Sequence, residues 1–518
     1  MNVVVGSGPA GVSCAMALLA RGCQVVMLDA ANQLEDARRE QLVQLAKQPV
    51  ETWRGEASAF LRQNVAPDRK GVGLKYAYGS DFPYRDNDRF LPMEKTGVNV
   101  TASLALGGMS NVWGAALLPY AKHDLSGWPI GERDLAPHYR AAMDIVGPSA
   151  IEDDLSDLWP IYHDSPRMLK SSRQATSLLE KTRANRPSLK AAGIHVGAAR
   201  QAVRADPCVY CALCMYGCPK ELIFNSGNLV PTLLKNPNFS YKPGVIVNRV
   251  EEQSGQVILH GIDKNSSESL SFVAERAYLG MGVLSTTRLL LESMQAYDTP
   301  VSLQDSCYFL MPWLRWKGYP GVSTEALHTL AQLFFEILDP AISPHTVHLQ
   351  LYTYNDLYVG AIQKMFGPAY HMMRPLIEAG LSRLHVLQGY LHSDHSPSIE
   401  MRLTRDGKMS LTAKHDGKDP RAVIKQVMKK LSRHRRQLGG WPVAPMLHVP
   451  DPGRGFHNGG TFPMQAGTPS AFQTDTLGRP GGFSRVHAID STTFPTIPAT
   501  TITLSVMANA HRIGSAIL

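Results

Sequence analysis

The chain has 518 residues, of which 44% are hydrophobic and 19% charged. That balance fits a globular protein of two or three domains and excludes a disordered or fibrous chain. The formal net charge of +8 is spread too thinly to indicate nucleic acid as a partner; it favours an anionic substrate, an acidic redox partner or an anionic membrane surface. No stretch reaches the ~18 uninterrupted apolar residues of a membrane-spanning helix, and the first residues lack the basic region and cleavage site of an export signal. The expected location is cytoplasmic, with peripheral contact on the inner face of a membrane as the variant.

Residues 2–5 (NVVV) read as a short buried strand, 9–21 as an Ala- and Leu-rich helix and 24–29 (QVVMLD) as a second strand. Strand, glycine-rich turn, helix and strand make the parallel βαβ unit. Its turn carries Gly6-x-Gly8-x-x-Gly11. Gly6 permits the tight turn, Gly8 lets the main chain approach a pyrophosphate, and Gly11 lets helix and strand pack closely. The helix N-terminus at Pro9 and Ala10 favours the phosphates. Ala15, Leu18, Gly22 and Val25 fall at core spacing, and Asp29 ends the second strand, where an acid can accept from ribose hydroxyls. Alone, this unit admits either FAD or NAD.

Residues 35–75 are charged and irregular, 106–115 (LGGMSNVWGA) are glycine-rich, and 130–200 look helical and basic. Strands are expected at 245–250, which includes Val247, at 255–262 and at 276–284, which includes Gly282; a helix follows over 285–294. Residues 300–445 mix amphipathic helices, at 326–338 and 359–387, with alternating strands such as 398–412, which turns at Asp406-Gly407. The tail from 486 is a strand, a proline-rich turn and a helix from about Ile502. No internal repeat is visible.

His457-Asn458-Gly459-Gly460-Thr461, followed by Arg485-Val486-His487-Ala488-Ile489-Asp490-Ser491-Thr492-Thr493-Phe494-Pro495-Thr496-Ile497-Pro498, resembles the closing signature of the glucose–methanol–choline (GMC) oxidoreductases, which are FAD enzymes. Leu106-Gly107-Gly108-Met109-Ser110-Asn111 resembles that family's glycine-rich loop beside the flavin, and 274–290 resembles its strand–helix element. The resemblance implies FAD rather than NAD. It implies cofactor contacts at Gly6, Gly8, Pro9, Ala10, Gly11, Asp29, Gly107, Gly108, Ser110, Asn111, Val247, Gly282, Asp490, Thr501 and Ile502. It makes His457 the base that takes the hydroxyl proton as hydride leaves the carbinol carbon, with Asn458 as a helper. Where the family usually carries a second His or an Asn near the last helix, this chain has Thr501. A threonine can donate a hydrogen bond but cannot share a proton as an imidazole does. The N-terminus of that helix is expected to face the flavin's pyrimidine end.

Seven cysteines are present. Cys14, Cys23 and Cys307 are scattered, but Pro207-Cys208-x-x-Cys211-x-x-Cys214-x-x-x-Cys218-Pro219 has the spacing of bacterial ferredoxins. The preferred reading is a 4Fe–4S cluster. A few bacterial GMC dehydrogenase subunits resemble this stretch and carry a cluster of 3Fe–4S type; they match Cys208, Cys214 and Cys218 best. A zinc site and unliganded thiols are the remaining alternatives. A cluster passes electrons singly, so it points to a dehydrogenase with an external carrier (ferredoxin-like, cytochrome or quinone) rather than an oxygen-consuming oxidase.

Three weaker signals complete the reading. His392-x-Asp394-His395 is expected to be a pocket wall or a loop of satisfied polar groups, with a metal site the lesser alternative. Lys429, Lys430, Arg433, Arg435 and Arg436 form a basic helix face, solvated or in contact with phosphate or membrane. The helices at 326–338 and 359–387, the latter with Arg374, Arg383 and His385, bury apolar faces in the core or seat on a membrane.

The expected fold is α/β, a Rossmann-like FAD-binding domain into which an α+β substrate domain on an antiparallel sheet is inserted. The FAD parts are 1–130, 223–298 and 446–518; the linker is 131–205, the cysteine loop 206–222 and the substrate domain 299–445. The expected function is FAD-dependent oxidation of an alcohol, preferably on a sugar, polyol or glycosyl substrate. Electron flow in reverse, from cluster to flavin to substrate, or a non-catalytic flavin relay, are the alternatives.

Overall fold

The computed structural model describes residues 1–53, 55–63, 74–414 and 416–517. Its first layer is a five-stranded, wholly parallel sheet in the order Val486–Ala488, Arg276–Leu279, Asn2–Val5, Val25–Asp29, Phe239–Pro243. The inner strands Asn2–Val5 and Val25–Asp29 are buried along their whole length because both faces of the sheet are covered, as parallel sheets require. One face packs the helices Pro9–Ala20 and Thr503–Ser515 through Val4, Ala15, Leu18, Ala510 and Ile513. The two helices approach closely because small residues meet: a Cβ on Gly514 would lie 2.8 Å from the Cys14 carbonyl oxygen. The other face packs a three-stranded antiparallel sheet (Val245–Gln253, Gln256–Asp263, Ser269–Ala274) and the helix Val283–Ser293. Strands from the start, middle and end of the chain therefore build one layer, so this unit is discontinuous in sequence.

A six-stranded antiparallel sheet forms the opposite side of the molecule, in the order Gly440–Pro442, Tyr308–Arg315, Leu384–Tyr390, Val347–Tyr352, Leu333–Ile337, Ile194–Ala198. Strand alternation gives it two characters. Phe309, Met311, Trp313, Leu349, Leu351, Phe335 and Leu387 face a core shared with the helices Arg173–Ala184 and Pro420–Arg433. Tyr308, Leu310, Gln350, Tyr352, Gln388 and Tyr390 occupy the alternate positions and face a large cavity. A second five-stranded sheet (Asn458–Gly459, Val301–Asp305, Ser398–Leu403, Met409–Lys414, Met93–Thr96) joins the two units.

Several expectations need correction. Residues 35–75 are not irregular throughout: Asp36–Lys47 is a helix, and 64–73 lie outside the described residues. The helical stretch 130–200 ends in the strand Ile194–Ala198, which joins the six-stranded sheet. The helix expected over 326–338 is a loop followed by the strand Leu333–Ile337; all five residues of that strand are buried, so no alternation distinguishes it from a buried helix. The segment 359–387 is two helices, Asp356–Phe366 and Tyr370–Leu381, and the start of a strand. Gly367, with φ +51°, breaks the helices apart.

Candidate active site and cysteine loop

A cavity of about 1340 Å³ runs from the glycine-rich turn to the polar face of the six-stranded sheet. At its first end the three glycines have distinct roles. A Cβ on Gly11 would lie 1.8 Å from the Gly6 carbonyl oxygen, so helix and turn are in direct main-chain contact. Gly6 has φ +96°, a conformation that side chains rarely adopt. At Gly8 a Cβ would meet no atom closer than 3.9 Å, because that position borders the cavity. No side chain caps the helix that starts at Pro9, which leaves its first N–H groups available to an anionic ligand. Asp29 lines the same end, and its carboxylate accepts from Ser7 Oγ at 2.6 Å and Tyr241 OH at 3.0 Å. Burial pushes its carboxyl up to about 6, against those donors.

The glycine-rich loop is braced from behind. Gly107 N donates to Ser7 Oγ at 2.9 Å, tying the loop to the first turn. A Cβ on Gly107 would lie 2.1 Å from Asn225 Oδ1. Asn111 Nδ2 donates to the carbonyls of Leu106 and Gly108, and Asn225 Nδ2 donates to Asn111 Oδ1 at 2.7 Å. Gly108 and Ser110 border the cavity, whereas Gly11, Gly107 and Asn111 stand behind its wall, their space and hydrogen bonds taken up by neighbouring main chain and Asn225. Asn225 and Ser226, which hold this loop, lie over a hundred positions away in a segment with no recognisable pattern.

Val247, Gly282, Asp490, Thr501 and Ile502 all border the cavity. Asp490 accepts from Thr286 Oγ1 at 2.6 Å and from Thr492, so its buried carboxylate ties the helix Val283–Ser293 to the turn after the last strand. Thr501 Oγ1 accepts from Leu118 N at 2.7 Å. Its hydroxyl therefore serves the main chain of the opposite wall, not as a counterpart of a second imidazole. The helix beginning at Thr503 has no side-chain cap, and Ile502, Thr503 and Val506 line the cavity.

His457 stands where the two units meet. The strand Asn458–Gly459 pairs with Val301–Asp305, and Ser306 N donates to His457 O at 3.0 Å, which fixes the main chain on both sides. The ring stacks on Tyr390, centroids 4.4 Å apart and planes 16° from parallel. Protein encloses the imidazole except on its cavity side, and His457 Nδ1 has no hydrogen-bond partner among the described residues. Burial pushes its pKa down to about 3, with His348 adding to the shift. It is therefore a neutral imidazole at neutral pH. Asn458 Nδ2 donates to Asp305 Oδ1 at 2.5 Å, and Gly453 N donates to Asp305 Oδ2 at 3.0 Å. Burial pushes the Asp305 carboxyl up to about 7.

The remaining wall was not legible in the sequence. Gln350 and Gln388 are register partners on adjacent strands, and Gln388 Nε2 donates to Tyr390 OH at 2.6 Å. Behind them Glu336 and His348 are fully buried and paired at 2.6 Å; His348 Nε2 meets Gln350 Nε2 at 3.1 Å, and Tyr352 OH donates to Gln350 Oε1 at 3.2 Å. A wall of amides and phenols suits a substrate with several hydroxyls.

Cys208, Cys211, Cys214 and Cys218 gather around a second, small cavity with His328 and Leu330, and none forms a disulfide. Burial pushes the Cys211 thiol up to about 12 and the Cys214 thiol up to about 11; the neighbouring cysteines add to both shifts. The Cys211 and Cys214 thiols are thus neutral unless a cation holds them. Met215 and Tyr216, directly after Cys214, line the large cavity. Lys75 also lines it and donates to Trp113 O at 3.1 Å; burial pushes its ammonium down to about 8.

Among the described residues, the one group of His, Cys, Asp or Glu donors closing within 4.8 Å is His345, His392 and Asp394; the four thiols do not close so far. His345 and His392 lie face to face, 3.6 Å apart and 9° from parallel. His345 Nε2 bonds the Asp394 carboxylate at 2.8 Å, and Asp394 N donates to His392 Nδ1 at 3.1 Å.

No family model matches the sequence, and no curated protein matches it. The fold does have known counterparts among 542 solved chains. Pyridoxine 4-oxidase from Mesorbium loti matches with a TM-score of 0.62 over 99% of this chain and 98% of that one, at 14% identity. An FAD-dependent oxidoreductase from Chaetomium thermophilum matches with a TM-score of 0.58 over 99% and 98%, at 12% identity. From end to end the chain has the fold of these FAD-dependent enzymes.

Proposed function

We propose that the chain is an FAD-dependent oxidoreductase of the GMC family that oxidises an alcohol, preferably on a sugar, polyol or glycosyl substrate, to a carbonyl. One observation carries this reading. A single cavity joins a glycine-rich turn and buried acid at one end to an unpartnered, neutral imidazole on a polar wall at the other. The residues fit FAD: Gly8 leaves room at the helix N-terminus, Asp29 suits the ribose, and the uncapped helix at Thr503 faces the opposite end. Bound there, the flavin supplies a hydride acceptor. His457 takes the hydroxyl proton on its imidazole, which borders the cavity. Tyr390 holds the ring plane, and the amides of Gln350 and Gln388 orient the remaining hydroxyls.

The four cysteines fit an iron–sulfur cluster better than a single zinc, with four irons preferred over three. Such a group transfers electrons singly, which suits delivery to a ferredoxin-like, cytochrome or quinone carrier. This is why we read a dehydrogenase, although one structural counterpart is named an oxidase. Anaerobic titration of the purified protein with sugars, polyols and nucleotide- or lipid-linked sugars tests the reading. At least one alcohol should bleach the oxidised flavin spectrum. If none does, while reduced ferredoxin bleaches it and a carbonyl or alkene restores it, electrons run in reverse and the reading is wrong.

A further inference from the structure

The exposed apolar side chains are clustered. Of the eleven large hydrophobic residues exposed among the described ones, Phe366, Met372 and Leu376 lie on one helical hairpin, and Trp316 lies on a loop bonded to it. The hairpin consists of Asp356–Phe366, the turn Gly367–Ala369 and Tyr370–Leu381. On the second helix Ile377 and Leu381 point inward and are buried. Met372, Pro375, Leu376 and Ala379, at positions i, i+3, i+4 and i+7, form an apolar stripe on the outside; Met372 is 79% exposed and Leu376 65%. A helix apolar on both faces is covered on both in its working state.

The same surface continues into positive charge. The loop 316–319 is stitched between the hairpin and a basic helix pair: Arg315 N donates to Arg383 O and Tyr319 N to Ser382 O, both at 3.0 Å, while Trp316 N donates to Gly439 O at 3.3 Å. Trp316 is 53% exposed and packs on Trp441. Gly439 directly follows the helices Pro420–Arg433 and Arg435–Leu438, which expose Lys429, Arg433, Arg435 and Arg436. Lys430 is paired with Asp339 at 2.6 Å, but none of those four has a carboxylate within ion-pair reach among the described residues. On the hairpin itself Arg374 is matched by Glu378.

We propose that this strip is a docking face for an anionic membrane surface. The Phe366–Leu376 stripe enters the acyl boundary, Trp316 sits at the interface, and the cations from Lys429 to Arg436 meet the head groups. The first helix of the hairpin supplies Leu357, Val359 and Gln363 to the wall of the large cavity. Docking therefore sets one wall of the substrate cavity against the lipid.

Co-sedimentation of the full-length, FAD-loaded protein with vesicles tests the proposal without turnover. Vesicles of phosphatidylcholine containing roughly one-third phosphatidylglycerol should retain the protein, and pure phosphatidylcholine should retain at least ~10-fold less. Met372→Asp with Leu376→Asp should lower retention at least ~10-fold at unchanged melting temperature and flavin content. Arg435→Glu with Arg436→Glu should weaken anionic binding alone. Absence of binding by the native protein, or binding that the Met372→Asp/Leu376→Asp pair leaves intact, overturns the proposal. So does a dimer in light scattering that the same pair dissociates, since a second copy would then cover the stripe.

Discussion

The Tyr390 ring lies on the His457 imidazole with centroids 4.4 Å apart, while Tyr390 OH is held by Gln388 Nε2 at 2.6 Å. The six-stranded sheet thus fixes the plane of the imidazole. An offset aromatic stack is worth ~0.5–1.5 kcal/mol, so Tyr390→Ala should slow flavin reduction by ~10-fold, chiefly through loss of orientation. Tyr390→Phe keeps the stack and should lose little. Stopped-flow flavin bleaching on any active alcohol separates the two; equal losses in both variants would assign the effect to the hydroxyl.

The low pKa of His457 predicts an unusual pH profile. A base must be unprotonated to act, and burial holds this imidazole neutral down to about 3. The acid limb of kcat/KM, which reports the free enzyme, should therefore lie well below the ~6.5 of an ordinary histidine. A limb at 6 to 7 that disappears in His457→Asn would contradict the burial argument.

Buried histidines should also make the fold acid-labile. His385, with a pKa of about 3, and His328 and His487, each about 4, are all buried. Unfolded, each titrates near 6.5, so below that pH the unfolded chain binds protons the folded chain refuses. Stability is full above 6.5 and falls as pH drops towards 4, by about 1.4 kcal/mol per pH unit for each such residue. His385→Phe should flatten the fall in unfolding free energy by roughly one such share, read from denaturant melts between pH 4 and 7.

Gly8 and Gly11 should respond differently to the same added methyl. At Gly11 it would meet Gly6 O at 1.8 Å, an overlap that costs several times the ~1–3 kcal/mol of ordinary overpacking; Gly11→Ala should yield little folded protein. At Gly8 nothing lies within 3.9 Å, so Gly8→Ala should fold but bind flavin at least ~10-fold more weakly, because the methyl occupies the phosphate approach. Expression yield and flavin-to-protein ratio decide this.

Cysteine substitutions bear on the cluster. Cys208→Ser, Cys214→Ser or Cys218→Ser should remove most iron and sulfide while leaving flavin bound, since only Met215 and Tyr216 of this loop line the large cavity. Cys211→Ser distinguishes the nuclearities: loss of one iron of four marks a cubane, unchanged iron a three-iron cluster. Zinc without sulfide in the native protein would contradict the assignment.

Much of the site was legible because it depends on local patterns. Gly6, Gly8 and Asp29 belong to one short βαβ unit, and His457, Asp490 and Thr501 sit in contiguous motifs, so their place on the cavity wall could be read from residue order. Long-range pairing is harder to read. Gln350, Gln388 and Tyr390 become a wall only through strand register. Leu333–Ile337 is buried on both faces and showed no alternation to reveal a strand. Asn225 braces the glycine-rich loop from over a hundred residues away, and nothing local announces it. Thr501 shows the converse: it borders the cavity, but its hydroxyl accepts from Leu118 N.

The central claim is that His457 serves as the base for alcohol oxidation at a flavin in this cavity. Its most direct test is anaerobic single-turnover reduction, comparing the native protein with His457→Ala at equal flavin content on the alcohol that bleaches fastest. Loss of the base should slow bleaching by ~10² or more with the flavin spectrum otherwise unchanged. Bleaching at the native rate in His457→Ala would contradict the account.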